Sequence, residues 1–285
     1  MMEMKGAIRS RWPTWAEVPT GGFVAMGALK PLHETLKEKR WLKSAHRGGR
    51  ATAPENTLTA FRKALEAGVD MIELDVQLTR DGHPVVFHDW TLERTTNGRG
   101  RLADQSLDDL RRLDAGSWFA EVYRGEPVPT LSEVLEWSSS RLYLQIELKS
   151  RGSDADALCD RVVHMIKERH MEEQVMVMSF DHAIARRVKQ LEPRMMTGVI
   201  CQARLIDPVS VVRQAQADVL CVDYDHLRRE DVDALHRENV AVHSFAPTPE
   251  TLRELVEWGV DIVQTDDPSA FQAVTGQGEA GAVKG

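Results

Sequence analysis

From about residue 42 to residue 265 the chain alternates short apolar runs of β character with amphipathic stretches of helical period. The runs cover residues 42–46, 71–76, 142–147, 175–179, 197–200, 219–222, 240–244 and 261–264. Between them, residues 58–67 place apolar side chains on one helical face and are closed by Gly68, and residues 251–258 repeat that design before Gly259. Strands alternating with helices predict a parallel sheet with helices outside it. Eight such runs fit an α/β fold of the (β/α)8 TIM-barrel type, whose active site lies where the C-terminal ends of the strands meet. A doubly wound open sheet would give a similar pattern.

Two places break the rhythm. The run Val85-Val86-Phe87-His88 follows the second strand after only the turn 79–83, too short for a parallel crossover, so it must return antiparallel as a β-hairpin that carries His88. A turn centred on Arg80-Asp81 sets His88 opposite Glu73; one centred on Asp81-Gly82 sets it opposite Asp75. The interval from Asp89 to Arg141 is too long for one loop and one helix. It reads as a small insertion after the second strand, at about 90–130, with a helical piece at 107–113, followed by a helix over 131–137. Residues 1–40, with Trp12, Pro13, Trp15, Pro19 and Gly21-Gly22, form an N-terminal arm outside the barrel, with a short helix in 32–41. The barrel spans 41–274, and 275–285 is a flexible Gly/Ala-rich tail.

Composition narrows the function classes. In 285 residues, Lys and Arg total 36 against 44 Asp and Glu, a net charge of −8. This balance, with no basic stripe, argues against a nucleic-acid partner. No run reaches the roughly 18–20 apolar residues of a membrane helix, so no stable membrane insertion is expected. The first twenty residues lack the apolar core of a secretory signal, and Cys159, Cys201 and Cys221 lack metal-site spacing, which fits reduced thiols and a cytoplasmic location. The pattern does not fix the oligomeric state.

Chemistry gathers at the strand ends. The first strand ends in His46-Arg47-Gly48-Gly49, and the second carries Glu73 and Asp75 two residues apart, hence on one face. The return strand supplies His88-Asp89, and the third barrel strand ends in Gln145-Ile146-Glu147-Leu148-Lys149. Buried charges cost several kcal/mol each unless they are paired or metal-bound. Three converging carboxylates, Glu73, Asp75 and Glu147, therefore point to one divalent cation, and oxygen-only ligands favour Mg2+ or Ca2+ over zinc. His46 and His88 suit general acid and base roles near pH 7. Arg47 and Lys149 can hold phosphate oxygens, the first as a fork and the second as a point charge.

The motifs His46-Arg47-Gly48, Ala53 to Thr57, Gly68-Val69-Asp70, Ile72 to Val76, Thr79 to Gly82, Pro84 to Asp89, Leu92 to Thr96 and Ile146 to Lys149 resemble the glycerophosphodiester phosphodiesterases. Pro129-Thr130-Leu131, Ser179-Phe180 and Gly259 to Asp266 are similar as well, so the likeness spans roughly 42–270. It implies a phospholipase C-like phosphodiesterase barrel that hydrolyses a small-molecule glycerophosphodiester to an alcohol and sn-glycerol 3-phosphate. It also implies attack by the neighbouring hydroxyl to give a cyclic phosphate, which water opens. By this likeness Glu73, Asp75 and Glu147 bind the ion, Arg47 and Lys149 contact phosphate, and His46 and His88 transfer protons, with the leaving group assigned to His88. Glu55 and Asn56 read as the opening of the first helix, with contact to the site as the alternative. One departure stands out. Where the family has a Trp-containing run near the glycerol, this chain has His243-Ser244-Phe245-Ala246, which bears on alcohol specificity. A lysophospholipase D or sphingomyelinase D-like enzyme would need an apolar rim for acyl chains, and a non-catalytic phosphate-binding barrel would lack one of the histidines or carboxylates.

Overall fold

The strands β1 (Leu42–Ala45), β2 (Met71–Leu78), β4 (Tyr143–Leu148), β5 (Val175–Ser179), β6 (Met196–Cys201), β7 (Val219–Val222), β8 (Ala241–Phe245) and β9 (Ile262–Thr265) run parallel in that order. Pairing of β1 with both β9 and β2 closes the sheet, which makes it a (β/α)8 barrel and excludes the open alternative. The computed structural model describes residues 29–150 and 152–275. The N-terminal arm therefore lies outside the described residues up to residue 28, and the tail from residue 276.

Helices α2 (Leu58–Glu66), α4 (Leu131–Ser138), α5 (Ala155–Glu168), α6 (His182–Leu191), α7 (Pro208–Ala215), α8 (Arg229–Arg237) and α9 (Pro249–Trp258) pack outside the barrel. Their starts follow from local chemistry. Thr57 Oγ1 accepts from the Ala60 N–H at the head of α2, and Thr130 and Glu133 form a reciprocal capping box at the head of α4. Strand side chains alternate between two layers. Ile72, Leu74, Val76 and Ile146 face the helices in the main core. Met71, Tyr143, Leu42 and Ile262, the first residues of their strands, fill the barrel floor. The short helix α1 (Leu32–Glu38) plugs that floor: Leu32 is fully buried there, Thr35 Oγ1 lies 2.7 Å from the Tyr143 hydroxyl, and that hydroxyl donates to Lys30 O at 2.8 Å. Burying a leucine in this way is worth about 1.5–3 kcal/mol. Among the described residues no helix is long and apolar enough to cross a membrane.

The hairpin exists, but in neither expected register. β3 (Pro84–Val86) pairs antiparallel with the end of β2 through Val76–Val86, Gln77–Val85 and Leu78–Pro84. The pairing centres on Asp81, because Arg80, Asp81 and Gly82 form a three-residue loop with Gly82 at φ +80 in the left-handed region. Both expected registers assumed a two-residue turn; the odd loop shifts each partner by one. β3 also ends at Val86, two residues before His88. Beyond it, the Phe87 N–H donates to Asp75 O at 2.9 Å, and Gln77 Nε2 lies 2.8, 3.0 and 2.8 Å from the carbonyls of Phe87, His88 and Asp89. The segment up to α4 includes the short helix α3 (Leu107–Leu110) and gathers round a separate cluster of Val85, Phe87, Leu92, Leu102, Leu110, Ala115 and Val128. Trp118 and Phe119 pack edge to face with centroids 5.6 Å apart, and neither lines the barrel mouth.

Candidate active site

The inward face of β2 carries Met71, Glu73, Asp75 and Gln77 in succession, apolar at the floor and polar toward the mouth; on β4 the series is Tyr143, Gln145 and Glu147. Parallel register sets Asp75 beside Glu147 and Glu73 beside Gln145. One oxygen from each of Glu73, Asp75 and Glu147 lies within 4.8 Å of the others, and such a group could hold a metal ion. Burial, reinforced by the charges of Asp75 and Glu147, pushes the Glu73 carboxyl far above its usual range. Burial and the Asp75 charge push Glu147 up to about 7. Burial acts on Asp75 in the same direction, yet Arg47 and Lys149 outweigh it and hold that carboxyl below its ordinary value. Without a cation, two of the three acids thus resist ionisation, as expected of a donor set that a divalent ion would complete.

β1 stops at Ala45, and the chain tightens into a turn of 3-10 helix at His46–Gly48, with Arg47 at φ +52 and Gly48 at φ +79. A Cβ on Gly48 would lie 2.6 Å from Phe61 Cδ1, so only glycine fits this reversal. The turn is tied to the acidic cluster through the Arg47 N–H, which donates to Glu73 Oε2 at 2.8 Å. The Arg47 side chain is buried; Nη1 donates to Glu55 at 2.8 Å and Nε lies 3.5 Å from Asp75 with no hydrogen bond. Lys149 Nζ donates to Glu147 at 2.8 Å and stands 3.5 Å from Asp75.

Each histidine of the mouth has an aspartate behind it. His46 Nδ1 lies 2.7 Å from Asp266 Oδ1, beyond the end of β9, and its Nε2 is 4.0 Å from Glu73. His88 Nδ1 lies 2.6 Å from Asp89 Oδ1. Burial raises Asp266, but hydrogen bonds from His46 and Arg50 overcome that and keep it below its usual value. Asp89 is held far down, chiefly by Arg94. An ionised aspartate accepts the Nδ1 proton and leaves Nε2 as the free ring nitrogen. Burial is the largest influence on the His88 ring and moves its titration below the ordinary value.

Arg94 extends this scaffold. It donates to Asp89 at 2.7 and 2.8 Å and to both oxygens of Glu55 at 2.7 Å. Glu55 holds Arg47, and Asn56, at φ +59, donates to Asp75 Oδ2 at 2.8 Å. Glu55 and Asn56 therefore do more than open α2, whose cap is Thr57. Sequence reasoning missed the contributions of Arg94 and Asp266, although both lie in motifs of the family likeness.

All seven residues singled out by sequence converge on a mouth pocket of about 450 Å3: His46, Arg47, Glu73, His88, Glu147 and Lys149 line it, and Asp75 lies buried beneath. Its other wall includes Phe180, Asp223, His243 and Phe245. Phe245 meets His46 edge to face at 5.3 Å. His243 is buried with neither ring nitrogen hydrogen-bonded, and burial lowers its titration to about 3.

The model of the Glycerophosphoryl diester phosphodiesterase family matches residues 46–270. A glycerophosphodiester phosphodiesterase of Caldanaerobacter subterraneus subsp. tengcongensis is 38% identical over 229 residues, which is 80% of this chain and 94% of that protein. One from Bacillus subtilis is 33% identical over 257 residues, 84% of this chain and 88% of its own. The crystal structure of the Agrobacterium tumefaciens glycerophosphodiester phosphodiesterase superposes with a TM-score of 0.73 at 28% identity, covering 82% of this chain and 100% of that one. A phosphodiesterase of Oleispira antarctica, solved in complex with the product sn-glycerol-3-phosphate, gives a TM-score of 0.78 at 29% identity over 82% and 96% of the two chains. A match that begins at the first histidine of the mouth and runs past the exit of the last barrel strand leaves one assignment: the chain belongs to the glycerophosphoryl diester phosphodiesterase family and is a phosphoric diester hydrolase.

Proposed function

We propose that the chain hydrolyses small-molecule glycerophosphodiesters to an alcohol and sn-glycerol 3-phosphate, with His46 and His88 as its proton-transfer pair. The observation that carries this reading is the pairing of both imidazoles, through Nδ1, with aspartates at the rim of the pocket that holds the acidic cluster. Glu73, Asp75 and Glu147 would hold one divalent cation, Mg2+ or Ca2+ by the hardness of their oxygens. Such an ion, when bound, polarises a phosphoryl oxygen and lowers the pKa of the attacking hydroxyl. The remaining steps belong to the chain's own side chains. Lys149 and Arg47 orient the phosphate by charge. One imidazole accepts at Nε2 the proton of the glycerol hydroxyl beside the phosphoester as its oxygen bonds to phosphorus. The other donates from Nε2 to the departing alcohol oxygen as that P–O bond breaks, and a cyclic phosphate results. Water then opens the ring with the proton roles reversed, which restores both imidazoles.

The test is hydrolysis of glycerophosphocholine by the wild type, His46→Ala and His88→Ala, each with chelator and then with Mg2+ or Ca2+ restored. Each variant should lose about 10²–10⁴ of kcat while keeping its far-UV circular dichroism. Retention of wild-type turnover by either variant refutes the assignment. Faster turnover of lysophosphatidylcholine than of glycerophosphocholine would move the substrate to a lipid.

A further inference from the structure

Among the described residues lining the mouth pocket, the lysines and arginines are Arg47, Arg50 and Lys149. Two of them have donors turned onto acids: Arg47 Nη1 on Glu55 and Lys149 Nζ on Glu147, both at 2.8 Å. Arg50, which has no part in the proton transfers above, is placed differently. The turn after β1 carries it round the rim, and its N–H donates to His46 O at 3.2 Å. A Cβ on Gly49 would lie 2.8 Å from Pro268 Cδ, and the Ala51 N–H donates to Asp266 O at 3.1 Å, so this turn is pressed against the segment that leaves β9. The Arg50 side chain is thereby set beside His46. Its Nε lies 2.8 Å from Asp266 Oδ1, the oxygen that also meets His46 Nδ1 at 2.7 Å. Among the described residues Asp266 is its one ion-pair partner, and its two Nη groups make no hydrogen bond. The side chain is 39% exposed, against 9% for that of Arg47.

We infer that Arg50 is a direct phosphate contact, which holds phosphoryl oxygens through its free Nη groups while its Nε stays on Asp266. The inference rests on the hydrolase reading above and adds a substrate-binding residue to it. A guanidinium anchored at Nε keeps its remaining N–H donors in one plane, a fork that matches two oxygens of a phosphate. Arg47 and Lys149, committed to acids beneath, act on the phosphate by charge; Arg50 supplies N–H donors from the open side of the pocket. Because one oxygen of Asp266 meets both side chains, the phosphate fork and the proton-transferring ring share an anchor, and a phosphate held by Arg50 has His46 as its neighbour. A phosphomonoester product carries nearly two charges at neutral pH against one on the diester, so it draws on this contact more strongly.

The experiment measures kcat and KM of the divalent-ion-loaded enzyme on glycerophosphocholine, with the inhibition constants of sn-glycerol 3-phosphate and inorganic phosphate, for the wild type, Arg50→Ala and Arg50→Lys. Arg50→Ala should raise KM and both inhibition constants about tenfold, the loss of one hydrogen-bonded contact to a charged group, with kcat lowered by a smaller factor. Arg50→Lys keeps the charge without the fork and should recover part of the loss. A residue that served only to orient Asp266 would lower kcat and leave KM and the inhibition constants where they were. Asp266→Ala separates the two roles: in that background Arg50→Ala should still raise the inhibition constants, by at least about threefold. Inhibition constants within about twofold of the parent in either background overturn the contact. Normal turnover by Arg50→Ala with unmoved constants removes the contact alone, whereas no turnover of glycerophosphocholine by the wild type removes the hydrolase reading beneath it.

Discussion

The buried carboxylates of β2 and β4, if they hold the proposed cation, should couple stability to pH and to divalent ions together. Glu147 titrates near 7, against an ordinary value near 4.5. A carboxyl raised on folding binds its proton more tightly in the folded chain, so it favours the fold at low pH and withdraws that support as pH climbs from the unfolded value to the folded one. At about 1.4 kcal/mol for each tenfold in proton affinity, ionising Glu147 costs the ion-free fold about 3 kcal/mol by pH 8. Glu73 is shifted the same way by burial and by its acidic neighbours and adds to that loss. A cation held by these oxygens competes with their protons and relieves their repulsion only once they are ionised. Saturating Mg2+ or Ca2+ should therefore stabilise the protein more at pH 8 than at pH 5.5. With roughly 2–4 °C of Tm per kcal/mol for a domain approaching this size, the difference should be about 5–10 °C. Differential scanning calorimetry of chelated and ion-loaded protein at the two pH values reads it directly, and Glu147→Gln, which cannot titrate, should shrink the contrast. An ion-induced rise in Tm that is equal at both pH values, or larger at pH 5.5, refutes the reasoning.

Three further outcomes test the supporting contacts. Asp266→Ala removes the partner at His46 Nδ1 and frees the ring to take either tautomer; kcat should fall about 10²–10³ with KM altered less than about threefold, read from steady-state kinetics. Arg94→Ala cuts the fork that ties Asp89 to Glu55 and should lower kcat about 10–100-fold, while Arg94→Lys should restore only part of it because an ammonium cannot bridge two carboxylates bidentately. Gly48→Ala drives a Cβ into Phe61 at a left-handed φ and should cost at least about 2 kcal/mol in urea unfolding; a loss below about 0.5 kcal/mol would show that the turn can relax.

Barrel strands are legible in a sequence because each is buried on two sides, so runs such as Val175 to Ser179 read as continuous apolar stretches. The alternation of Glu73 and Asp75 was legible for the opposite reason, since acidic residues at period two have no packing role inside a barrel and stand out against its apolar strands. Registers and remote pairings were not legible. A hairpin's phase turns on whether its loop holds two residues or three, and Gly82 in the left-handed region supplies the third here. Asn56 took its place under Asp75 through its own positive φ, which a capping pattern does not foretell. The contact between His46 and Asp266 spans 220 positions, and no local period carries information over that distance. Closure nonetheless implies it. Once the first and last strands of a barrel are neighbours, the residue just past the last strand must lie beside the residue just past the first. Asp89 supports His88 from the adjacent position, whereas Asp266 supports His46 from the far end of the fold. Two unrelated routes through the chain thus reach the same Nδ1 arrangement at one pocket, which packing alone has no reason to produce.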